Sequence, residues 1–289
     1  MSHADHPASQ GNADQVTYWN DKAGATWTAL QERLDALFAP LTQAAMAAAA
    51  PRPGEHAIDI GCGCGATVLE LARHAGPGGH VLGIDVSEPM AARARARIAE
   101  AGLGNAEVAV FDAAAHAFPA GDADLLFSRF GVMFFADPVA AFANLRKAMR
   151  PGGRLLFAAW RPLADNPWFA VPLQAGGPLL PPQPPTSPDA PGPFAFADAG
   201  RVRRILGEAG WHGVGAVRQD APMRFAGPGQ IEEATEFATR VGPLARALAE
   251  AGDDVRARVR EAVSQALHPY DGPDGIALPG SVWLVSAQA

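Results

Sequence analysis

The pattern of apolar and polar residues divides the chain into a helical beginning, an alternating middle and a mixed end. Near the start, apolar side chains recur every three or four positions, which is the period of an amphipathic helix. These side chains are Trp27, Leu30, Leu34, Leu37, Phe38 and Leu41. The sequence PRPGE at 51–55 ends the pattern, because proline and glycine interrupt helices. We therefore predict an N-terminal helical cap over residues 1–50.

Short apolar runs alternate with helical patterns between residues 55 and 160. The runs typical of strands are HAIDI, HVLGIDV, AEVAVFDA, ADLLFS and RLLFAAW. The helical patterns between them are ATVLELARHA, SEPMAARARARIAEAG and DPVAAFANLRKAMRPGG, with Ser87 and Asp137 as N-cap candidates. This order predicts parallel strands joined by right-handed crossovers, with helices on both faces. The fold class is α/β, a doubly wound sheet.

The pattern changes after Trp160, where prolines become frequent. The sequence PLLPPQPPTSPDAPGP at 178–193 is incompatible with a helix or a central strand. We expect an α/β core over 51–227 that carries a proline-rich lid at 161–199. A helical insertion at 228–270 and a final strand of the core at 271–289 complete the prediction.

A glycine loop follows the first predicted strand, in the sequence DIGCGCG at 59–65. Glycines between a strand and a helix allow a sharp turn and a close approach of the backbone to a ligand. Such a ligand lies at the carboxyl ends of the strands. The spacing Gly61, Gly63 and Ala66, with Asp85 ending the second strand, also satisfies a relaxed dinucleotide fingerprint. A nicotinamide or flavin site is therefore one interpretation, and a turn without a ligand is another.

The same stretch resembles the glycine loop of class I S-adenosylmethionine (SAM)-dependent methyltransferases. GIDVS resembles their second-strand acid motif, FDAAAHAFP their third-strand aspartate segment, and PGGRLLFAAW the turn into their fifth strand. SRFGVMFFADP, together with YWN near the start, resembles the group allied to the ubiquinone and menaquinone C-methyltransferases. The resemblance implies a Rossmann-like sheet of seven mostly parallel strands whose last strand is antiparallel.

Asp59 separates the two nucleotide interpretations. A carboxylate would repel an anionic pyrophosphate, whereas the methionine part of SAM carries an α-ammonium that a carboxylate attracts. We therefore favour SAM, with S-adenosylhomocysteine as product. The resemblance implies a cofactor site that combines the loop, the strand ends and an N-terminal aromatic residue. Its predicted members are Asp59, Gly61, Cys62, Gly63, Gly65, Asp85, Val86, Met90, Asp112, Ala113, Ala114, Ser128, Arg129 and Trp27.

The acceptor side of the site is less well defined by the sequence. Arg129 is a candidate for an acidic substrate group or for the methionine carboxylate, and His116 for a base. Tyr18 and Trp168 are pocket candidates, because Tyr18 belongs to the YWN stretch and Trp168 follows the fifth strand. We assign no catalytic residue, since methyl transfer from a sulfonium chiefly requires alignment and exclusion of water. The acceptor atom and the oligomeric state are not predicted.

Composition narrows the remaining classes. The formal net charge of −7 argues against a nucleic acid partner, and we interpret the cluster Arg93, Arg95 and Arg97 as a solvated surface. The pair Cys62 and Cys64 offers too few ligands for zinc, so no metal is expected. The sequence contains no apolar run of about 18 residues, so we expect no membrane span. A cytoplasmic, SAM-dependent enzyme acting on a small-molecule acceptor is the leading hypothesis; an NAD(P)-dependent oxidoreductase and a non-catalytic SAM-binding protein are the alternatives.

Overall fold

A computed structural model describes residues 12–182, 187 and 189–289, which form two compact units. The first unit contains the described residues up to 160, residues 189–219 and residues 283–289. The second contains the described residues between 161 and 188 and residues 220–282. This division differs from the expected one, because the first part of the predicted lid groups with the helical insertion rather than with the core.

One sheet forms the centre of the fold. Its strands are β1 (His56–Ile60), β2 (His80–Asp85), β3 (Ala106–Val110), β4 (Ala123–Arg129), β5 (Met149–Trp160), β6 (His212–Ala226), β7 (Asp271–Gly272) and β8 (Gly275–Gln288). Their order is β3-β2-β1-β4-β5-β8-β6, and the two-residue β7 pairs with β8 off this path. The predicted alternation of strands and helices is confirmed, since β1 pairs in parallel with β2 and β4, β2 with β3, and β4 with β5.

The last long strand, β8, runs antiparallel to β5. The N–H of Ala289 donates to the carbonyl of Gly153, and the N–H of Arg161 donates to the carbonyl of Ser281. Partner numbers therefore fall along one strand as they rise along the other, which is the pattern of an antiparallel ladder. The expected orientation of the final strand is confirmed, and β8 lies between β5 and β6.

Helices cover the sheet in the first unit. They are α1 (Ala13–Asn20), α2 (Lys22–Ala29), α3 (Gln31–Ala49), α4 (Ala66–Ala75), α5 (Glu88–Glu100), α6 (Pro138–Ala148) and α8 (Ala199–Glu208). Helix α3 packs against β4 and β5, α4 against β1 and β2, and α5 against β2 and β3. The apolar stripe that predicted the N-terminal helices faces this core, since Leu37, Phe38 and Leu41 are almost fully buried.

The segment at 189–199 packs into the first unit and does not form a free lid. Phe196 is 2% exposed, and its ring lies 6.1 Å from Phe142 and 5.8 Å from Phe157, centroid to centroid. The N–H of Gly192 donates to the carbonyl of Met133. An apolar side chain within a proline-rich stretch thus anchors the segment, because burial of an aromatic ring outweighs the lack of regular structure.

The second unit is mainly helical. Its helices are α7 (Pro167–Gly176), α9 (Ile231–Arg240), α10 (Pro243–Leu248) and α11 (Asp253–Leu267). Helix α7 was not predicted, because it lies within the stretch expected to be a lid and contains Pro172. It packs against α11 and α10, and the rings of Trp168, Phe225 and Phe237 form the aromatic core of this unit. Burial of apolar residues explains why α7 tolerates an internal proline.

Two further sequence predictions need correction. Strand β5 begins at Met149 and passes through the Pro-Gly-Gly turn that was expected to precede it. Arg97 does not belong to a solvated surface, since its side chain is 16% exposed and its guanidinium is bound on two sides.

Among the described residues, no helix is both long and apolar enough to cross a membrane.

The ion pair between Glu55, which precedes β1, and Arg154 of β5 generates a stability prediction. Arg154 donates from both terminal nitrogens to the carboxylate of Glu55, at 2.8 and 2.9 Å, and the N–H of Arg52 donates to the same group. Burial raises the pKa of Glu55, but the hydrogen bonds and positive charges of Arg154 and Arg52 outweigh it and hold the pKa below its ordinary value.

We expect Glu55→Gln to lower the free energy of unfolding at pH 7 by roughly 1–3 kcal/mol, because Arg154 loses its charged partner. A carboxyl whose folded-state pKa is depressed stabilises the fold above its unfolded pKa and loses that effect as the pH falls through the folded pKa. The difference between the two proteins should therefore shrink below about pH 4.5 in urea titrations. Glu107→Gln is the matched control, since Glu107 is 65% exposed and pairs with the half-exposed His80. An equal loss in both variants would contradict the prediction.

Candidate active site

Three glycines with positive φ shape the loop between β1 and α4. Their φ angles are +67° at Gly61, +55° at Gly63 and +82° at Gly65, a region that favours glycine. The N–H groups of Gly61 and Cys62 both donate to the carbonyl of Ile84, at 2.8 and 3.0 Å. The loop therefore turns sharply and is fixed to the end of β2.

The loop that follows β4 lies directly against the glycine loop. A Cβ atom on Gly61 would lie 2.5 Å from the Cα of Gly131, so the two backbones approach more closely than side chains permit. Ser128, which is fully buried, donates its hydroxyl to the carbonyl of Ile60 at 2.7 Å and accepts the N–H of Gly131 at 3.2 Å. The side chain of Ser128 thus joins the carboxyl ends of β1 and β4.

Asp59 carries a buried carboxylate oxygen without a partner. Its side chain is fully buried, and Oδ2 accepts the hydroxyl of Thr67 at 2.5 Å. Within the described part of the chain, Oδ1 has no hydrogen-bond partner. Burial raises the pKa of Asp59 to about 7, although the Thr67 hydrogen bond and the charge of Arg129 act in the opposite direction. Because an unsatisfied buried oxygen costs about 1–3 kcal/mol, the arrangement fits a cationic ligand that donates hydrogen bonds.

Arg129 is a guanidinium beside this carboxylate that lacks a full set of partners. It donates from Nη1 to the hydroxyl of Thr42 at 2.6 Å, and its Cζ lies 5.3 Å from the centroid of Phe38. No described carboxylate comes within ion-pair distance of it. Burial lowers the pKa of Arg129, while the negative charges of Asp35 and Asp59 raise it. A half-buried guanidinium in this state favours an anionic group from a ligand.

Asp85 connects the glycine loop to the turn after β2. Its Oδ2 accepts the N–H of Gly63 at 2.8 Å, and its Oδ1 accepts the N–H of Ser87 at 2.9 Å. Burial raises the pKa of Asp85, and these backbone hydrogen bonds oppose the rise. Each carboxylate oxygen has two lone pairs, so both can still accept a ligand hydroxyl.

Asp112 closes a turn at the end of β3. Its Oδ1 accepts the N–H of Ala114 at 2.9 Å, and its backbone carbonyl accepts the N–H of His116. The ring of His116 stacks on Phe111 with a centroid distance of 3.7 Å. The imidazole is thus packed on an aromatic ring, and its predicted role as a base stays a prediction.

The YWN stretch fastens the N-terminal helices to the β2–α5 turn. Asn20 donates to the carbonyl of Val86 at 2.7 Å and accepts the N–H of Glu88 at 3.0 Å. Ser87 occupies the predicted N-cap of α5, but its hydroxyl donates to the carbonyl of Trp19 and caps nothing. Asn20 from another helix therefore does the capping, which spacing along the chain could not reveal.

Aromatic rings of the first unit form a continuous cluster beside the site. Trp27 stacks on Phe38, Trp19 meets Trp27 edge to face, and Tyr18 meets Trp19 in the same way. The structure therefore brings the predicted Tyr18 and Trp27 into one cluster, next to the Phe38 that supports the guanidinium described above. Trp168 belongs to the second unit, where it is buried.

The two cysteines have different surroundings. A Cβ atom on Gly83 would lie 3.0 Å from the sulfur of Cys62, which is buried beneath the loop. Burial raises the pKa of the Cys62 thiol well above its ordinary value. Burial also raises the pKa of Cys64 to about 11, although its interaction with the Thr28 side chain acts in the opposite direction. Among the described residues, no three histidine, cysteine or carboxylate side chains come together as a metal site would require.

Sequence reasoning missed the residues that orient the predicted ones. Thr67, two residues into α4, holds Asp59, and both Thr42 and Phe38 of α3 hold Arg129. Thr67 carried a usable signal, since it is the second residue of the predicted helix that follows the loop. Thr42 carried none, because its partner lies 87 residues away along the chain.

Comparisons with known proteins agree with this geometry. Residues 57–153 match a family model described as a methyltransferase domain. Nocamycin O-methyltransferase of Saccharothrix syringae is 35% identical over 213 residues, which is 73% of this chain and 72% of that protein. A ubiquinone/menaquinone biosynthesis C-methyltransferase of Cupriavidus taiwanensis is 34% identical over 122 residues, 41% of this chain and 50% of that one.

Solved structures support the same fold. The YcgJ protein of Bacillus subtilis superposes with a TM-score of 0.55 at 16% identity, covering 86% of this chain and 97% of that protein. At this identity the likeness concerns the fold alone. The nicotinamide-dependent alternative gains no support from these similarities.

The surroundings of the two cysteine sulfurs, one buried and one half-buried, generate a reactivity prediction. Only the thiolate is nucleophilic, and a pKa of about 11 leaves on the order of one Cys64 in a thousand ionised at pH 8. We expect the native protein to react with a disulfide reagent at least roughly 100-fold more slowly than the urea-unfolded chain, whose cysteines have pKa values near 8.5.

The Cys64→Ser variant keeps Cys62 as its single thiol, so comparing it with the unaltered chain separates the reaction rates of the two cysteines. Rapid labelling of either thiol in the native protein would contradict the inert surroundings described above.

Proposed function

This chain belongs to the class I SAM-dependent methyltransferases, and we propose that it methylates an oxygen atom of a small organic molecule. The methyl donor is SAM, and the reaction is transfer of its methyl group to a small-molecule acceptor. The proposal concerns two finer points: which residues hold each part of the donor, and which atom of the acceptor receives the methyl group.

The observation that carries the site assignment is the pairing of Asp59 with Arg129. The amino-acid end of SAM is zwitterionic, with an ammonium and a carboxylate on the same carbon. Asp59 presents a buried oxygen without a partner, and Arg129 beside it presents a guanidinium without an ion pair among the described residues. We assign the α-ammonium to Oδ1 of Asp59 and the α-carboxylate to Arg129. Each group of the ligand then meets a side chain of opposite charge.

The adenosine part belongs to the ends of β2 and β3. Asp85 accepts the ribose hydroxyls with the lone pairs that Gly63 and Ser87 leave available. Asp112 accepts a hydrogen bond from the adenine amino group. The glycines let the backbone of the loop approach the ligand closely, since they have no side chains to intervene. The residues that complete this part of the site are Cys62, Gly65, Val86, Met90, Ala113, Ala114 and Trp27.

The protein's contribution to the reaction is placement. Bound SAM would supply a methyl group activated by a positively charged sulfur. The acceptor atom, the methyl carbon and the leaving sulfur must then lie in one line. Asp59 and Arg129 fix one end of the donor, Asp85 fixes the ribose, and the aromatic cluster excludes water. Aromatic faces such as that of Trp27 also favour a sulfonium cation. An acidic hydroxyl needs little help from a base, so no acid–base dyad is required.

The oxygen acceptor is supported by how far the similarity to the nocamycin enzyme extends. A match of 213 residues is longer than the 57–153 stretch of the methyltransferase domain, so it includes residues outside that domain. The C-methyltransferase matches over only 122 residues, so its similarity extends less far beyond the domain. We expect much of the acceptor pocket to lie outside the domain, so the longer match is the better guide to the acceptor.

We expect Asp59→Asn to weaken SAM binding by roughly 10- to 100-fold in calorimetry, since a charged hydrogen bond contributes about 1.5–3 kcal/mol. Because the pKa of Asp59 is about 7 and its charged form attracts the ammonium, affinity for SAM should rise from pH 6 to pH 8. The variant should show no such rise over the same range.

Asp124→Asn is the matched control for this measurement. Asp124 is also a buried carboxylate of the sheet, but it lies at the amino end of β4, where it accepts the N–H of His56. We expect this variant to lose stability and to keep its SAM affinity within about twofold. A wild-type affinity independent of pH, or an unaffected Asp59→Asn variant, would contradict the assignment.

The acceptor is tested with trideuteromethyl SAM and a panel of phenols, carboxylic acids, enols, amines and thiols. We expect transfer to the oxygen nucleophiles, detected by mass spectrometry as a gain of one labelled methyl group. Methylation of carbon only would transfer support to the C-methyltransferase group. Tight SAM binding with no transfer to any compound would favour the non-catalytic alternative.

A further inference from the structure

Arg97 of α5 binds a backbone carbonyl of the glycine loop. Its Nη1 donates to the carbonyl of Cys64 at 2.6 Å, and its Nη2 donates to Oδ2 of Asp35 at 2.7 Å. Its side chain is 16% exposed and that of Asp35 is 25% exposed, so water competes little for this bridge. One guanidinium thus joins the loop to α3, the N-terminal helix that carries Asp35.

The same face of α5 supports the rest of the loop. A Cβ on Gly65 would lie 2.9 Å from the Cβ of Ala94, and one on Gly63 would lie 3.0 Å from the terminal methyl of Met90. Residues 90, 94 and 97 follow the helical spacing of four and three, so they share one face. Packing excludes movement of the loop toward α5, and the hydrogen bond of Arg97 opposes movement away from it.

Asp35 connects this bridge to the charged residues of the site. Gln31 donates to its Oδ2 at 2.6 Å, which holds the carboxylate in place beside Arg97. The charge of Asp35 also acts on Arg129, where it is the largest of the influences that favour the ionised guanidinium. Helix α3 therefore presents one carboxylate to two arginines, of which one holds the loop and the other faces the site.

We propose that Arg97 and Asp35 are positioning residues that hold the glycine loop in its SAM-binding shape. This inference rests on the proposed function, since it assumes that SAM binds at the loop. A loop with three glycines at positive φ has many alternative conformations, and fixing one of them before the ligand arrives reduces the entropy lost on binding. Neither residue is assigned a contact with the ligand: Arg97 acts through the backbone of Cys64, and Asp35 acts by holding Arg97 and through its charge on Arg129.

The experiment measures SAM affinity by calorimetry in variants of the full chain. Arg97→Gln should raise the Kd for SAM about tenfold, because the loop loses a charged hydrogen bond. Arg97→Lys should give an intermediate Kd, since one ammonium cannot reproduce the two-sided contact of a guanidinium. Asp35→Asn should also raise the Kd, and the double variant should be weakened by less than the two single effects combined, because the two residues share one bridge while the charge of Asp35 acts on Arg129 as well.

Arg95→Gln is the matched control. Arg95 lies on the same helix, α5, and donates to the carbonyl of Val108 and to the carboxylate of Glu88, which belong neither to the loop nor to the bridge. Its Kd for SAM should stay within about twofold of the unaltered chain. Thermal unfolding of every variant separates loss of affinity from loss of fold, and the lysine and Asp35 variants keep the test informative if Arg97→Gln does not fold.

The two levels of the proposal fail differently. No SAM binding by the unaltered chain would overturn the proposed function and this inference with it. Normal SAM binding by the unaltered chain, together with unchanged affinity in Arg97→Gln, would overturn this inference alone. Equal weakening by Arg95→Gln and Arg97→Gln would also overturn it, because it would point to a general disturbance of α5.

Discussion

The buried carboxylate of Asp59 is the constraint around which the site is arranged. An ionised group without water must be compensated by its surroundings, and here only one of its two oxygens has a protein partner. Its raised pKa is the direct result of this incomplete compensation. The fold tolerates the cost because Thr67 and the neighbouring charge of Arg129 hold the carboxylate in one orientation, with its second oxygen available.

The glycine loop is the structural consequence. To leave Oδ1 of Asp59 open to a ligand, the chain must turn away immediately after β1, and it does so through residues with positive φ. Such a turn is not rigid by itself. It becomes rigid because β2 binds two of its N–H groups, Asp85 binds a third, Gly131 packs against it and Arg97 binds a carbonyl.

Methyl transfer from a sulfonium depends mainly on the alignment of the reacting groups and only weakly on acid–base catalysis. The structure agrees with that demand, because its conspicuous interactions are those that fix backbone and charge, while the histidine near the site is packed against an aromatic ring. Helix α3 has a larger part in this arrangement than its distance along the sequence suggests. It holds Arg129 through Thr42 and Phe38, and it reaches the glycine loop through Asp35.

The sequence by itself determined the α/β class, the strand and helix alternation over 55–160, the glycine loop and the acids at three strand ends. These features depend on local periodicity and on motifs whose residues are close along the chain. It also indicated, through Asp59, that the ligand carries a positive charge. Only the tertiary structure decided that α7 forms within a proline-rich stretch, that Asn20 caps α5 in place of Ser87, and that Arg97 is a bridge and not a surface residue. Each of these depends on contacts between residues tens of positions apart, where burial and partner geometry override local preference.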